Sequence, residues 1–301
     1  MIGRNRNAFC LVRPPGHHAG IGGLLEGADS CGFCIFNNLA AGALHALSDH
    51  HSCEKVAIID IDVHHGNGTE DIVRNYSEPH RIFFFSVHLL DEDKTTGYQF
   101  YPGTGDKDDT KHNIINVPIA PMWRKTEVAA AIAGEKGGED VSIGEGEDNF
   151  PQHYLQGMGQ QAYRMAIQNR LLPALAAFNP DLVMISAGFD AARGDVGNAK
   201  HGKREKQGLD LEPEDYAWTT EKIMEIADSC CNGKVVSVLE GGYGQTVPVA
   251  VLEARTTRSR SFDGSNMDSE ATSTNLNRDM FSESACRHLK ALIDPYEKLE
   301  I

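Results

Sequence analysis

The chain has 301 residues, 41% hydrophobic and 24% charged, with a formal net charge of −15 at pH 7. Length and balance fit one large α/β domain, and no apolar run approaches the roughly 20 residues needed to span a bilayer. The charge excludes direct nucleic-acid binding, which needs Lys and Arg facing phosphate, but it suits a basic peptide partner.

In chain order, Met1 to Asn7 lacks the apolar core of a secretory signal, which predicts a reducing compartment. The seven cysteines then need not pair. Cys31 and Cys34 form a CxxC with no second pair at zinc-finger spacing, and Cys230-Cys231 is vicinal, so buried free thiols are expected. Ala8–Val12 reads as a strand leading into Arg13-Pro14-Pro15-Gly16-His17-His18; as an apolar sheet edge it would be an association hazard. A helix is predicted over Asn38–Leu47, where small and apolar residues recur.

Lys55–Ile59 is a short, fully apolar strand that runs into Asp60-Ile61-Asp62-Val63-His64-His65. Gly134 to Asn149 mixes five glycines with six acids and is predicted to be a flexible insertion. A helical connection over Tyr154–Phe178 stops before Pro180, and a second apolar strand, Asp181–Ser186, precedes Gly188-Phe189-Asp190. Val196 to Leu209, carrying Lys200, Lys203, Arg204 and Lys206, reads as a surface insertion. Pro213–Asp228 opens with Pro and acids like a helix start. A third apolar strand, Lys234–Leu239, precedes Tyr243; a Ser/Thr-rich loop over Arg255 to Asn277 and a closing helix over Asp279–Ile293 complete the chain. Strands alternating with helices give an α/β single domain over 1–301, a mostly parallel open β-sheet with helices on both faces.

Each polar cluster begins where its strand ends, and an open parallel sheet binds ligands outside the carboxyl ends of its strands. Asp62, His64, Asp190 and Tyr243 should therefore converge on one rim. A lone Asp-x-His is more often a capped turn than a ligand pair; placement is what raises these pieces above that reading. Two carboxylates and an imidazole offer the oxygen and nitrogen donors that zinc accepts, and three protein ligands with an open position form the catalytic arrangement. Asp60, two residues before Asp62, should face the same side and orient His17 through its other ring nitrogen, with Asn67 orienting His18.

Seven strings carry a family resemblance: RPPGHHAG at 13–20, GFCIFNN at 32–38, DIDVHHGNG at 60–68, FYPGTG at 100–105, NVPI at 116–119, SAGFDAARGD at 186–195 and LEGGYG at 239–244. By them the chain resembles the catalytic domain of zinc-dependent histone deacetylases, from about Ala8 to Gly244, with an arginase/deacetylase-like fold. Asn67 and Glu240 tilt the resemblance toward the class II branch. The resemblance implies Zn2+ on Asp62, His64 and Asp190, His18 as general base and then acid, His17 as its electrostatic partner, and Tyr243 as hydrogen-bond donor to the substrate carbonyl. It also implies a structural K+ held near Asp60, Asp62, His64 and Ser86, and a substrate tunnel walled by Gly32, Phe33 and Tyr101. Tyr101 departs from the family's usual phenylalanine, so its hydroxyl must point outward or find a partner.

Family members carry a long segment before the strand that leads into the RPPGHH string, including edge strands and an acidic loop that grips the substrate backbone; the resemblance covers the later part of the fold. The segment after Asp190 lies at the tunnel mouth in the family. The reading that follows is a lysine deacetylase acting on acetylated proteins such as histone tails, with corepressor partners, no direct nucleic acid and no membrane, in nucleus or cytoplasm. An acetylpolyamine or small-amide deacetylase and a catalytically silent truncated scaffold are the alternatives.

Overall fold

The computed structural model describes residues 6–93, 96–124, 158–200, 203–248 and 274–296. Its centre is a sheet of six strands: β1 (Asn7–Cys10), β2 (Val56–Asp60), β3 (Ile82–Leu89), β4 (Ile114–Ile119), β5 (Leu182–Ala187) and β6 (Val235–Leu239). From edge to edge the order is β1-β6-β5-β2-β3-β4, and every neighbouring pair is parallel. β2 and β3 are buried at every residue, the pattern of central strands covered on both faces. That is why they are continuous apolar runs instead of alternating ones.

The helices α1 (Asn38–Asp49), α2 (Asn67–Arg74), a third stretch over Gln160–Ala166, Ile167–Leu171 and Leu172–Phe178 (α3), α4 (Pro213–Cys231) and α5 (Asp279–Ile293) cover both faces. α1 and α2 pack Leu39, Ala43, Leu47 and Val73 with Ile58, Phe84 and Met184 on one side. α3 and α4 pack Tyr163, Ile167, Leu171, Tyr216 and Ile223 with Ile59, Phe85 and Ile185 on the other. α1 starts where the Asn37 side chain accepts from the Ala40 amide at 2.9 Å. α4 starts with Pro213 in its first turn and a capping box between Glu212 and Asp215. The middle of α3, Ile167–Leu171, is wound as a π-helix just before Pro173, which has no N–H to give the preceding turn.

Several boundaries move. The three expected central strands each lie about one residue further along, β1 stops at Cys10 short of Val12, and α1 and α4 run on to Asp49 and Cys231. Leu11 and Val12 are exposed beyond the strand, because the chain there turns away from β6 toward the sheet's carboxyl rim. Among the described residues α3 begins at Gln160; 154–157, the whole of 134–149 and 255–273 lie outside them. The strands β3 and β4 and the helix α2 carry no expectation above, although NVPI at 116–119 turns out to be the end of β4.

Val196–Leu209 is not simply a surface insertion: Asn198, Gly208 and Leu209 are buried. Its ends are tied inward because Asn198 Oδ1 accepts from the Gly208 and Leu209 amides at 3.1 and 2.8 Å. All seven cysteines are free, but only Cys34, Cys53 and Cys231 are buried, while Cys286 is exposed on α5. Among the described residues no helix is long and apolar enough to cross a membrane.

Candidate active site

From β2 the chain winds outward through β3 and β4, then returns to lay β5 against the other side of β2. The strand order therefore reverses between β2 and β5, and a crevice opens at their carboxyl ends. Asp60 stands at the end of β2 in register with Ser186 of β5 and Ser86 of β3. Asp62 and His64 continue from β2, and Asp190 follows β5, so sheet pairing alone brings together residues far apart in sequence.

One donor atom from each of Asp62, His64 and Asp190 lies within 4.8 Å of the others. His64 Nδ1 is 3.1 Å from Asp62 Oδ1 and 3.1 Å from Asp190 Oδ2. Main-chain amides hold the carboxylates: Gly241 N donates to Asp62 Oδ2 at 2.8 Å and Val63 N to Asp190 Oδ1 at 3.0 Å. Asp190 Oδ2 is buried with no hydrogen-bond donor of its own. Gly188 and Gly241 are required here, since a Cβ at either would overlap these carboxylate oxygens. Burial pulls the pKa of His64 down, but the carboxylates of Asp190 and Asp62 beside it outweigh this and hold it at about 9. Burial alone would raise Asp62, yet His17 and His64 hold it well below the carboxylate range; Asp190 is raised by burial and by Asp62. Two buried carboxylates with an unclaimed oxygen make a site that attracts a cation.

Beside this cluster the rings of His17 and His18 lie 4.0 Å apart. His17 Nδ1 donates to Asp60 Oδ2 at 2.9 Å, and its Nε2 is 3.8 Å from Asp62 Oδ2. His18 Nδ1 lies 2.8 Å from Asn67 Oδ1, an oxygen that also accepts from the Gly68 amide at 3.1 Å. Because the Asn67 oxygen can only accept, His18 Nδ1 carries the proton and its Nε2 keeps a free lone pair. Burial lowers the pKa of both rings, but Asp60 and Asp62 overcome it and raise His17, whereas burial with the neighbouring His17 and His64 keeps His18 low. The arrangement separates a cationic imidazole from a neutral one.

Two acids that the motif strings contain without an assigned role shape this rim. Glu240, fully buried, accepts from the Gly16 and His17 amides at 2.7 and 3.1 Å and from Ser186 Oγ at 3.3 Å, fixing the backbone of the two histidines. Asp195 accepts from the Tyr243 and Gly244 amides at 2.9 and 2.6 Å. Its placement after Asp190 is what anchors the Tyr243 loop. The phenol of Tyr243 faces the Phe33 ring at 6.1 Å between centroids. Burial, followed by Asp190 and Asp62, raises its pKa far above that of a free phenol. Tyr101 stands edge-on to His18 at 4.9 Å, and its hydroxyl finds a partner in the Ser30 carbonyl at 3.0 Å. Gly32 sits against both, since a Cβ there would meet His18 Nε2 at 2.9 Å and Tyr101 Cε1 at 3.0 Å. Ser86 Oγ is 2.9 Å from His88 Nδ1.

A family model described as "Histone deacetylase domain" matches residues 1–257. The Type-2 histone deacetylase 2 of Dictyostelium discoideum is 36% identical over 79% of this chain and 11% of that protein. Histone deacetylase 15 of Arabidopsis thaliana is 36% identical over 80% of this chain and 33% of that protein. Histone deacetylase 6 of Caenorhabditis elegans is 37% identical over 80% of this chain and 20% of that protein. The chain thus spans from a tenth to a third of the length of these relatives. The crystal structure of an HDA15 HD domain superposes with a TM-score of 0.58 at 29% identity, covering 99% of this chain and 59% of that one.

Proposed function

Because the chain belongs to the histone deacetylase family, we propose that it hydrolyses the acetyl amide of Nε-acetyl-lysine with zinc held by Asp62, His64 and Asp190. The observation that carries this reading is the cation-seeking Asp-His-Asp cluster lying beside His18, a neutral imidazole with a free Nε2. Two carboxylates and one imidazole are a zinc donor set, and the oxygen of Asp190 without a donor is an atom that a cation would satisfy. Bound zinc would supply Lewis acidity to the amide carbonyl and make water acidic enough to attack near neutral pH.

The chain's own residues do the rest. His18 Nε2 takes the proton of the attacking water and afterwards returns it to the leaving lysine amine. His17, fixed by Asp60, presents positive charge next to His18 and favours the negative charge that develops on the substrate. Tyr243 keeps its proton and donates it as a hydrogen bond to the substrate oxygen as that oxygen becomes anionic. Phe33 and Tyr101 offer aromatic walls to the apolar lysine stem, with Gly32 giving the ring of His18 access between them. The strand ends around Asp60, Asp62, His64 and Ser86 are the proposed seat of a structural potassium ion.

The substrates proposed are acetylated proteins such as histone tails, whose basic residues suit a chain of net charge −15. Asn67, Glu240 and the Type-2 relative support a class II assignment. The test is acetate release from an acetyl-lysine peptide by the purified, zinc-loaded chain, with a chelator control. Chelator-sensitive turnover supports the reading; a folded, zinc-containing chain without turnover on that peptide overturns it.

A further inference from the structure

The part of the site that packing does not hold is the wall carrying Phe33. Phe33, Ile35 and Phe36 are 75%, 61% and 78% exposed, so burial does little to fix this segment. Its tip is the tight turn Cys31–Cys34, closed by the Cys34 amide donating to the Cys31 carbonyl at 2.8 Å. Both central residues have left-handed backbones, Gly32 at φ 51° and Phe33 at φ 68°. For Phe33, which has a Cβ, that conformation is strained and persists only where surroundings enforce it.

The hydrogen bonds within the turn, including the Gly32 amide to Ser30 Oγ at 3.1 Å, are local and would travel with it if it swung outward. Among the described residues, two hydrogen bonds tie it to the body of the domain. On the far side the buried Cys34 Sγ accepts from the His18 amide at 3.5 Å. On the near side Tyr101 Oη donates to the Ser30 carbonyl at 3.0 Å, across 71 positions of sequence. The same Tyr101 ring stands 4.9 Å from His18 and 6.1 Å from His64, at the edge of the proposed reaction site.

We propose that Tyr101 and the Ser30 carbonyl form a latch joining the two walls of the substrate passage, and that this latch keeps the passage narrow around the lysine stem. The proposal rests on the acyl-lysine reading above. Tyr101 serves as wall and tether together: its ring lines the passage, and its hydroxyl pins the turn so that Gly32 closes against His18 and the ring. A phenylalanine would keep the wall and lose the tether. The turn would then be free to relax away from Tyr101, and the space gained lies between the two walls, beside the stem.

The experiment is Tyr101→Phe, read in two ways: exchange in the metal-free chain and turnover in the zinc-loaded one. Hydrogen exchange of the metal-free chain, followed by mass spectrometry over residues 29–36, is expected to accelerate in the variant while exchange in β2 and β5 stays unchanged. The ratio of kcat/KM for acetyl-lysine carrying a methyl branch on its side-chain stem to that for unbranched acetyl-lysine in the same peptide is expected to rise about tenfold, the scale on which a pocket discriminates a single carbon. The change should fall on KM, since the Tyr101 hydroxyl is tied to Ser30 and not to reacting atoms. Unaltered exchange over 29–36, or an unaltered ratio in an active variant, overturns the latch. A wild-type chain that hydrolyses neither peptide counts against the proposed activity, and the exchange measurement, which needs no turnover, then decides the latch by itself.

Discussion

Two buried histidine clusters in this protein differ in one respect that separates structure from chemistry. His288 of α5 lies between Thr220 of α4 and Ser237 of β6, 2.7 Å from each hydroxyl. Thr220 gives its own proton to the Tyr216 carbonyl at 2.7 Å, so His288 Nδ1 donates to Thr220 and its Nε2 accepts from Ser237. Every polar atom of that imidazole is satisfied, no charge faces it, and burial holds its pKa down at about 3. In the other cluster Asp62 and Asp190 are buried and His64 is partly buried, and it carries two carboxylates and an oxygen with no donor. A satisfied neutral cluster fastens α5 to the sheet; an unsatisfied anionic one is stabilised by a cation.

Four measurements bear on that contrast. The largest effect is expected for Asp190→Ala: metal content by atomic emission and turnover should both fall to background, while the melting temperature of the metal-free chain stays level or rises, because a buried carboxylate with an unsatisfied oxygen is gone. A metal-free Asp190→Ala chain that melts well below wild type would break the contrast. Tyr243→Phe should retain zinc and lose about a hundredfold in kcat, as for other oxyanion donors; steady-state kinetics beside a zinc assay decides this, and full activity would remove Tyr243 from the proposed chemistry.

At the other cluster, His288→Ala should leave the zinc-loaded site intact but lower stability by about 3 kcal/mol, through a cavity and the loss of the ring's bonds to Thr220 and Ser237. Urea unfolding gives the stability and activity per folded molecule gives the control. The smallest effect is in acid. His288 has a folded pKa of about 3 against an ordinary 6.5, so the unfolded chain binds the proton more readily. Its contribution is therefore complete above 6.5 and lost as pH falls toward 3. Between pH 7 and 5 that amounts to about 2 kcal/mol. His288→Gln, which does not titrate, should show a shallower loss of stability over that window in the metal-free chain.

The latch at Tyr101 belongs to neither cluster. It lies on loops at the rim, where a few hydrogen bonds do the holding, whereas Asp62, His64 and Asp190 are set by strand ends and main-chain amides. In the proposed reading the metal ligands sit at the rim of the rigid sheet and the fit to substrate on its loops.

Much of this was legible in the sequence because it depends on short-range pattern. Apolar runs of five or six residues read as covered strands, polar residues at each run's end read as a rim, and the spacing of Asp60 and Asp62 put their side chains on one side. The boundary shifts of β2, β5 and β6 are a single residue each, since hydrogen bonding to neighbours, not composition, decides where a ladder stops. β3 and β4 were less visible: a Ser-x-His interrupts one, and the other holds Asn116 and Pro118. Glu240 and Asp195 could be seen in their strings but not assigned, because their partners stand 224 and 48 positions away. The sequence by itself determined which residues end the strands and which donor atoms they carry. Only the tertiary structure decided that β5 lies against β2, which brings Asp190 to Asp62 and His64. Tertiary packing likewise set Glu240 behind the two histidines, Tyr101 against Ser30, and His288 between two hydroxyls. Those outcomes follow from strand order and loop closure, long-range pairings that no local run of side chains encodes.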